Sequence, residues 1–230
     1  MRLIALLLCA VLLPGCKPAA PAPAAEREVQ VAVEGGTLYV RESGAGPVVV
    51  LLHGGGLDLT SWDAQVPPLA RGYRTIRVDA RGHGRSTAPP GAVSPAADLA
   101  RVLDHLGVSR ASLVGLSMGG GAAFEFALRH PERVERLVLV STSGPPPGVP
   151  LPPGTLVPSD PAGRAALAAT RLPVLVVVGA NDSEGVRATA EAIEREVPGA
   201  RRVVIPGADH LANTQRPDEF NRALLEFLRR

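Results

Sequence analysis

Lysine is nearly absent from this sequence: Lys17 is its one lysine, and arginine supplies the rest of 24 basic residues, set against 22 acidic ones. No basic stripe runs along the chain, so the phosphate neutralisation that nucleic-acid binding needs is excluded. The slight basicity reflects heavy use of Gly, Pro, Ala and Arg, not selection for acidic ligands. Cysteine is as scarce, with only Cys9 and Cys16. Cys9 falls in a segment expected to be removed on export, which leaves no pair for a disulfide. The apolar stretch at residues 3–13 is too short to span a bilayer, and no internal repeat is found.

What is present is enough apolar material for a packed core, 46% hydrophobic against 20% charged residues. A length of 230 residues suits one domain. Arg2 followed by residues 3–13 has the pattern of an export signal. It ends in Leu13-Pro14-Gly15-Cys16, which resembles the lipobox of bacterial lipoproteins, although Pro14 is an uncommon choice there. That resemblance implies cleavage after residue 15 and a lipid on Cys16, with an ordinary signal peptide as the alternative. Residues 18–25, Pro-Ala-Ala-Pro-Ala-Pro-Ala-Ala, make an extended spacer. The expected organisation is a signal at 1–15, a lipidated spacer at 16–28 and a folded domain at 29–230, in a cell-envelope protein facing the periplasm or the cell surface.

Residues 29–33 and 38–42 alternate apolar and polar around Glu34-Gly35-Gly36-Thr37, which predicts an antiparallel pair closed by a glycine turn. Continuous apolar runs at 48–52, 111–116, 137–140 and 174–178 predict strands buried on both faces, as in a parallel sheet. Helical periodicity lies between them, at 96–106, 119–129 and in Val186, Ala190, Ile193 and Val197. Ser94-Pro95 reads as a helix start, and Pro217 opens a last helix whose apolar face is Phe220, Leu224, Phe227 and Leu228. Regular alternation predicts an α/β protein with helices on both faces of its sheet and the ligand beyond the carboxyl ends of the strands.

The chemistry concentrates at Gly115-Leu116-Ser117-Met118-Gly119, a G-x-S-x-G that directly follows a predicted strand and opens a helix through Gly120 and Gly121. A turn that tight tolerates no bulk two residues either side of the serine and holds the serine in a strained conformation. Its place at a helix N-terminus sets backbone N–H groups beside developing negative charge. Ser117 is therefore the candidate nucleophile.

Serine needs a base, and the chain has five histidines. His105 and His130 lie on or at the ends of helices, and His83 sits in a glycine turn, where bracing of loops is the expected role. His53 begins His53-Gly54-Gly55-Gly56. His210 follows the strand at 202–205 in Pro206-Gly207-Ala208-Asp209-His210, near the edge that carries Ser117, and is the candidate base. Asp182, after the strand at 174–178, is its candidate orienting acid and completes the chain order Ser, Asp, His. Asp209 adjoins His210 too closely to bond its ring, and Glu184, Asp79 and Asp58 are left outside the triad. Met118 N–H and Gly55 N–H are the candidate oxyanion donors, with Gly56 the neighbouring possibility. Leu57, Trp62 and Leu211 are candidates for the acyl pocket, with a place in the core as the alternative for each.

These segments, with Asp79-Ala80-Arg81-Gly82-His83-Gly84-Arg85-Ser86 and Gly179-Ala180-Asn181-Asp182, resemble the α/β-hydrolase superfamily in order from residue 29 to 230, especially its small esterase, lactonase and cofactor-free haloperoxidase branch. The resemblance implies a mostly parallel eight-stranded sheet, and a serine triad that acts on a small acyl substrate without metal or organic cofactor. A monomer or weak oligomer is expected, with no partner beyond the membrane holding Cys16. Serine at the nucleophile position sets the chain apart from relatives with aspartate there. Relatives commonly carry a helical cap between the strands at 137–140 and 174–178. Here the interval begins with seven prolines between Pro145 and Pro158, which disfavour helix, and ends in a short helical stretch at 161–169. A cap reduced to a loop implies an open site that prefers short acyl groups. Acyl transfer or perhydrolysis on the same acyl-enzyme is the enzymatic alternative, and a non-catalytic envelope binding protein is the alternative of another class.

Overall fold

Apolar runs bounded by glycine and polar turns become the buried strands of one sheet in a computed structural model, which describes residues 26–90, 93–144 and 155–230. In chain order the strands are β1 (Arg27–Val33), β2 (Gly36–Ser43), β3 (Val48–Leu52), β4 (Arg74–Val78), β5 (Ala111–Leu116), β6 (Val134–Val140), β7 (Val174–Gly179) and β8 (Arg201–Ile205). They lie in the order β1-β2-β4-β3-β5-β6-β7-β8, with β1 and β2 antiparallel to their neighbours and the rest parallel. This is the mostly parallel eight-stranded sheet that the resemblance implies. The β1–β2 hairpin turns through Glu34 and Gly35, where φ of +83° suits glycine.

The helices are α1 (Val66–Leu69), α2 (Pro95–His105), α3 (Met118–Arg129), α4 (Pro161–Thr170), α5 (Glu184–Glu196), α6 (Ala212–Gln215) and α7 (Pro217–Leu228). Because side chains alternate along a strand, Val50 and Leu52 feed one core and Val49 and Leu51 the other. Leu99 of α2, Phe124 of α3, Leu167 of α4 and Ile193 of α5 cover the first face. Leu69 of α1 and Phe220, Leu224, Phe227 and Leu228 of α7 cover the second. Each fully buried side chain of this size contributes roughly 1.5–3 kcal/mol. As predicted, Ser94 caps α2, its hydroxyl accepting the Ala96 N–H at 3.2 Å.

Several boundaries differ from the sequence reading. The first strand begins at Arg27, two residues before the expected domain start, and α1 and α6 are additional short helices. β6 begins at Val134, not 137: Glu135 and Arg136 interrupt the apolar run, and Val134 and Arg136 pair with Ala111 and Ser112 of β5 while Glu135 is skipped at an irregularity in the register. The short helix expected at 161–169 is α4, and it packs between α3 and α5 on the sheet. Arg164 fastens it, donating to the Pro158 and Ser159 carbonyls at 3.2 and 2.6 Å. The densest proline run, the signal and the proline-alanine stretch at 18–25 fall outside the described residues, whereas 26–28 of the expected spacer lie within them.

Candidate active site

β5 delivers the chain to Ser117 at its carboxyl end, and α3 starts at the next residue. Ser117 has φ 50° and ψ −109°, one of three non-glycine residues with positive φ among the described residues. Strain of this kind costs roughly 1–3 kcal/mol and persists only where the surroundings enforce it. Here they do. Ser117 N–H donates to the Val140 carbonyl at 2.9 Å, and the Ser117 carbonyl accepts the Gly121 N–H at 3.0 Å. A Cβ on Gly115 would strike the Gly119 carbonyl, one on Gly119 would strike the Leu52 carbonyl, and one on Gly120 would strike Thr142. These glycines are thus demanded by contact with β3, the turn after β6 and the helix itself.

The loops after β7 and β8 are tied edge to edge: Ala180 N–H donates to the Ile205 carbonyl at 3.0 Å and Asn181 N–H to the Ala208 carbonyl at 2.8 Å. This bond pair brings Asp182 under His210. His210 Nδ1 donates to Asp182 Oδ1 at 3.1 Å and lies 3.3 Å from Oδ2. The carboxylate is buried, and its Oδ1 also accepts the Ser183 N–H at 2.7 Å. The His210 side chain is 43% exposed. With the proton on Nδ1, Nε2 is left as an acceptor. No hydrogen bond joins Ser117 Oγ to His210 Nε2 among the described residues; such contacts commonly tighten only around substrate. Asp209 is held elsewhere, accepting from Gln215 Nε2 at 2.6 Å and Leu211 N–H at 3.2 Å.

The loop beginning at His53 is braced by two histidines. His53 Nδ1 donates to the Gly54 carbonyl at 2.8 Å while its Nε2 accepts the Ala80 N–H at 3.0 Å. His83 Nε2 accepts the Gly56 N–H at 3.4 Å, its Nδ1 donates to the Arg81 carbonyl at 2.8 Å, and the two rings lie 5.1 Å apart. Gly56 has its N–H committed to His83, so Gly55, beside Met118, is the loop's remaining candidate donor. Buried Asp79 locks the same region, accepting Leu59 N–H at 2.8 Å and Arg85 N–H at 2.7 Å. Nothing in the residue pattern around Asp79 predicts that bracing role.

Burial holds His53 below its ordinary pKa, with the Gly54 hydrogen bond opposing in part. A depressed histidine pKa gives stability that is complete above the unfolded value of about 6.5 and is lost as pH falls toward the folded value. Urea unfolding of wild type is therefore expected to lose stability between pH 7.5 and 5.5, and His53→Gln to lose less. Equal losses would assign the dependence to other groups.

Of the expected pocket residues, Trp62 is corrected: it is fully buried, with its ring 6.0 Å from that of Phe220, and belongs to the core under α7. Leu57 and Leu211 border a wide depression with Gly56, His83 and Thr214. Met118 is 39% exposed, the largest exposure among the apolar side chains of the site. Among the described residues, no three His, Cys, Asp or Glu side chains are grouped as a metal site requires.

Fold and site together define a doubly wound α/β protein with a strained serine at a strand-to-helix elbow. The chain belongs to the family described as alpha/beta hydrolase fold, whose model matches residues 47–172. It is similar to a thermophilic esterase from Thermogutta terrifontis, with TM-score 0.74 and 30% identity over 88% of this chain and 98% of that one. It is also similar to an enol-lactonase from Burkholderia xenovorans LB400, with TM-score 0.76 and 27% identity over 88% of this chain and 100% of that one. In sequence it is 46% identical, over 52% of its length, to a 2-hydroxy-6-oxononadienedioate/2-hydroxy-6-oxononatrienedioate hydrolase from Burkholderia vietnamiensis, of which it covers 46%. The chain spans less than half the length of the curated relatives it matches.

Proposed function

We propose that this protein is a serine hydrolase of small carboxylic esters, in the esterase and lactonase branch of its family. The observation that carries the reading is the His210–Asp182 contact at 3.1 Å, beyond the same sheet edge that holds Ser117 at φ 50°. Ser117 Oγ attacks the ester carbonyl as His210 Nε2 takes its proton. The carbonyl π pair moves onto oxygen, where Met118 and Gly55 N–H groups receive it. Collapse expels the alkoxide, which takes the proton from His210 and leaves as alcohol. Water then attacks the acyl-enzyme with His210 again as base, releasing the acid and restoring Ser117. Loss of one oxyanion donor commonly costs about 3 kcal/mol. A fluorophosphonate probe tests the reading: wild type is expected to label and Ser117→Ala is not, and equal labelling overturns it.

A second reading, hydrolysis of a diacid, is favoured by the 46% identity to the dienedioate hydrolase. Comparing turnover of a dienedioate with that of a neutral ester separates the two. Acyl transfer or perhydrolysis differs only in the acceptor, and product analysis with added alcohol or peroxide distinguishes it. We also propose that Cys16 carries a lipid anchor, on the strength of the Leu13-Pro14-Gly15-Cys16 motif and the spacer that follows. Several acyl chains on one cysteine give stable attachment. Cys16→Ser is expected to move the protein from the membrane to the soluble fraction with ester turnover unchanged; unaltered fractionation refutes the anchor.

A further inference from the structure

Behind the Met118 side chain lies a cavity of about 290 Å³, bounded by the ends of β2, β3 and β4 and by the first turns of α2 and α3. It adjoins the depression that Leu57 and Leu211 border, with His83 lining both. Its wall is largely apolar, with Val93 and Leu99 on the α2 side and Ala122 on the α3 side.

Three features tie this space to the reacting centre. Met118 belongs to both: its backbone follows Ser117, while its side chain lines the cavity and passes Gly55, whose Cβ position would lie 3.9 Å from both Met118 Cβ and Sδ. An unbranched thioether with three rotatable bonds can swing aside for a ligand, and this one is 39% exposed. The second feature is charge. Arg81 and Asp98 also line the cavity, but they are spent on each other, Nε to Oδ2 at 2.5 Å and Nη2 to Oδ1 at 2.9 Å. Arg81 Nη1 donates to the Glu34 carbonyl at 2.7 Å, so three of the five N–H groups of this guanidinium are engaged and its charge is balanced by Asp98. The third is size: about 150 Å³ suffices for benzene in a dry protein cavity.

We propose that this cavity is the acyl pocket of the site, and that it takes a neutral, apolar acyl group between butyryl and benzoyl in size, admitted past Met118. The proposal rests on Ser117 as nucleophile. It narrows the expectation of a shallow site for the shortest acyl groups. A diacid's second carboxylate would enter beside Asp98, whose charge already neutralises Arg81, so diacid monoesters are disfavoured.

The test compares kcat/KM for the p-nitrophenyl esters of acetate, butyrate, benzoate and glutarate. Buried methylenes contribute about fourfold each, so wild type is expected to favour butyrate over acetate by about fifteenfold and glutarate monoester least. Ala122→Phe and Val93→Trp fill the cavity from opposite walls, and both positions are partly exposed. Each is expected to lower the butyrate-to-acetate and benzoate-to-acetate ratios at least tenfold. Unchanged ratios in both variants, with circular dichroism matching wild type, overturn the pocket, as does glutarate outpacing butyrate. Fluorophosphonate labelling separates the two readings: labelled protein with unchanged ratios sinks the pocket alone, whereas wild type that neither labels nor hydrolyses any ester sinks the nucleophile and the pocket together.

Discussion

Ser117→Ala is expected to lower kcat for a small ester by on the order of 10⁴- to 10⁶-fold while leaving the unfolding midpoint nearly where it is. The rate falls because no other hydroxyl sits at the elbow between β5 and α3, and the acyl-enzyme has nowhere else to form. Stability holds because the contacts that fix residue 117 are made by its backbone, to Val140 and Gly121, and alanine carries the same Cβ into the same φ of 50°. Ser117→Gly provides the complementary measurement. Glycine adopts positive φ without penalty, so that variant is expected to be equally inactive and to gain on the order of 1 kcal/mol in stability. Urea unfolding alongside initial rates reads both. Turnover of Ser117→Ala within tenfold of wild type would remove the serine from the chemistry.

The sheet was legible because its central strands are buried on both faces, so β3, β5 and β7 read as unbroken apolar runs. Where a strand carries charge the signal fails, as at Glu135 and Arg136, which are only partly buried and hid the first half of β6. Candidate site positions were legible for a related reason. In a parallel sheet every loop that follows a strand opens at one edge, so Ser117, Asp182 and His210 share a neighbourhood whatever their separation in sequence. Asp182 could be preferred to Asp209 because an adjacent residue cannot fold back onto the His210 ring, and Asp209 in fact bonds Gln215. Trp62 shows the limit. An apolar residue after the glycine loop looks alike whether it turns to the cleft or inward, and only the approach of Phe220, from the far end of the chain, decides for the core. Bracing was legible for His83 from its glycine turn, but the parts of His53 and Asp79 in it were hidden because they act through backbone N–H groups, which no residue type advertises. The cavity behind Met118 had no signal at all, being space left where five elements meet.

Asp182→Asn is expected to keep the fold and to lose about 10⁴-fold in kcat. Its carboxylate oxygens lie 3.1 and 3.3 Å from His210 Nδ1 and can only accept, which fixes the imidazole proton on Nδ1 and leaves Nε2 free to take the serine proton. An asparagine of the same shape can turn its amide nitrogen toward Nδ1. The ring then answers with the other tautomer, its proton on Nε2, and the base is disarmed without any atom having moved far. The carbonyl oxygen of that asparagine can still accept the Ser183 N–H now bonded at 2.7 Å, and a neutral group at this buried position carries a smaller desolvation cost than a carboxylate. The loss is thus expected in kcat with KM changed by no more than a few-fold, since Asp182 is hidden from substrate beneath His210. Asp209→Asn and Glu184→Gln are the controls, because the first acid is held by Gln215 and Leu211 and the second lies exposed in the first turn of α5. Both are expected to stay within a few-fold of wild type. The measurement is kcat and KM for p-nitrophenyl acetate in all three variants, with circular dichroism to establish folding. A folded Asp182→Asn that keeps more than a tenth of wild-type kcat would transfer the orienting role to another acid, and a collapse of Asp209→Asn in the same series would name it.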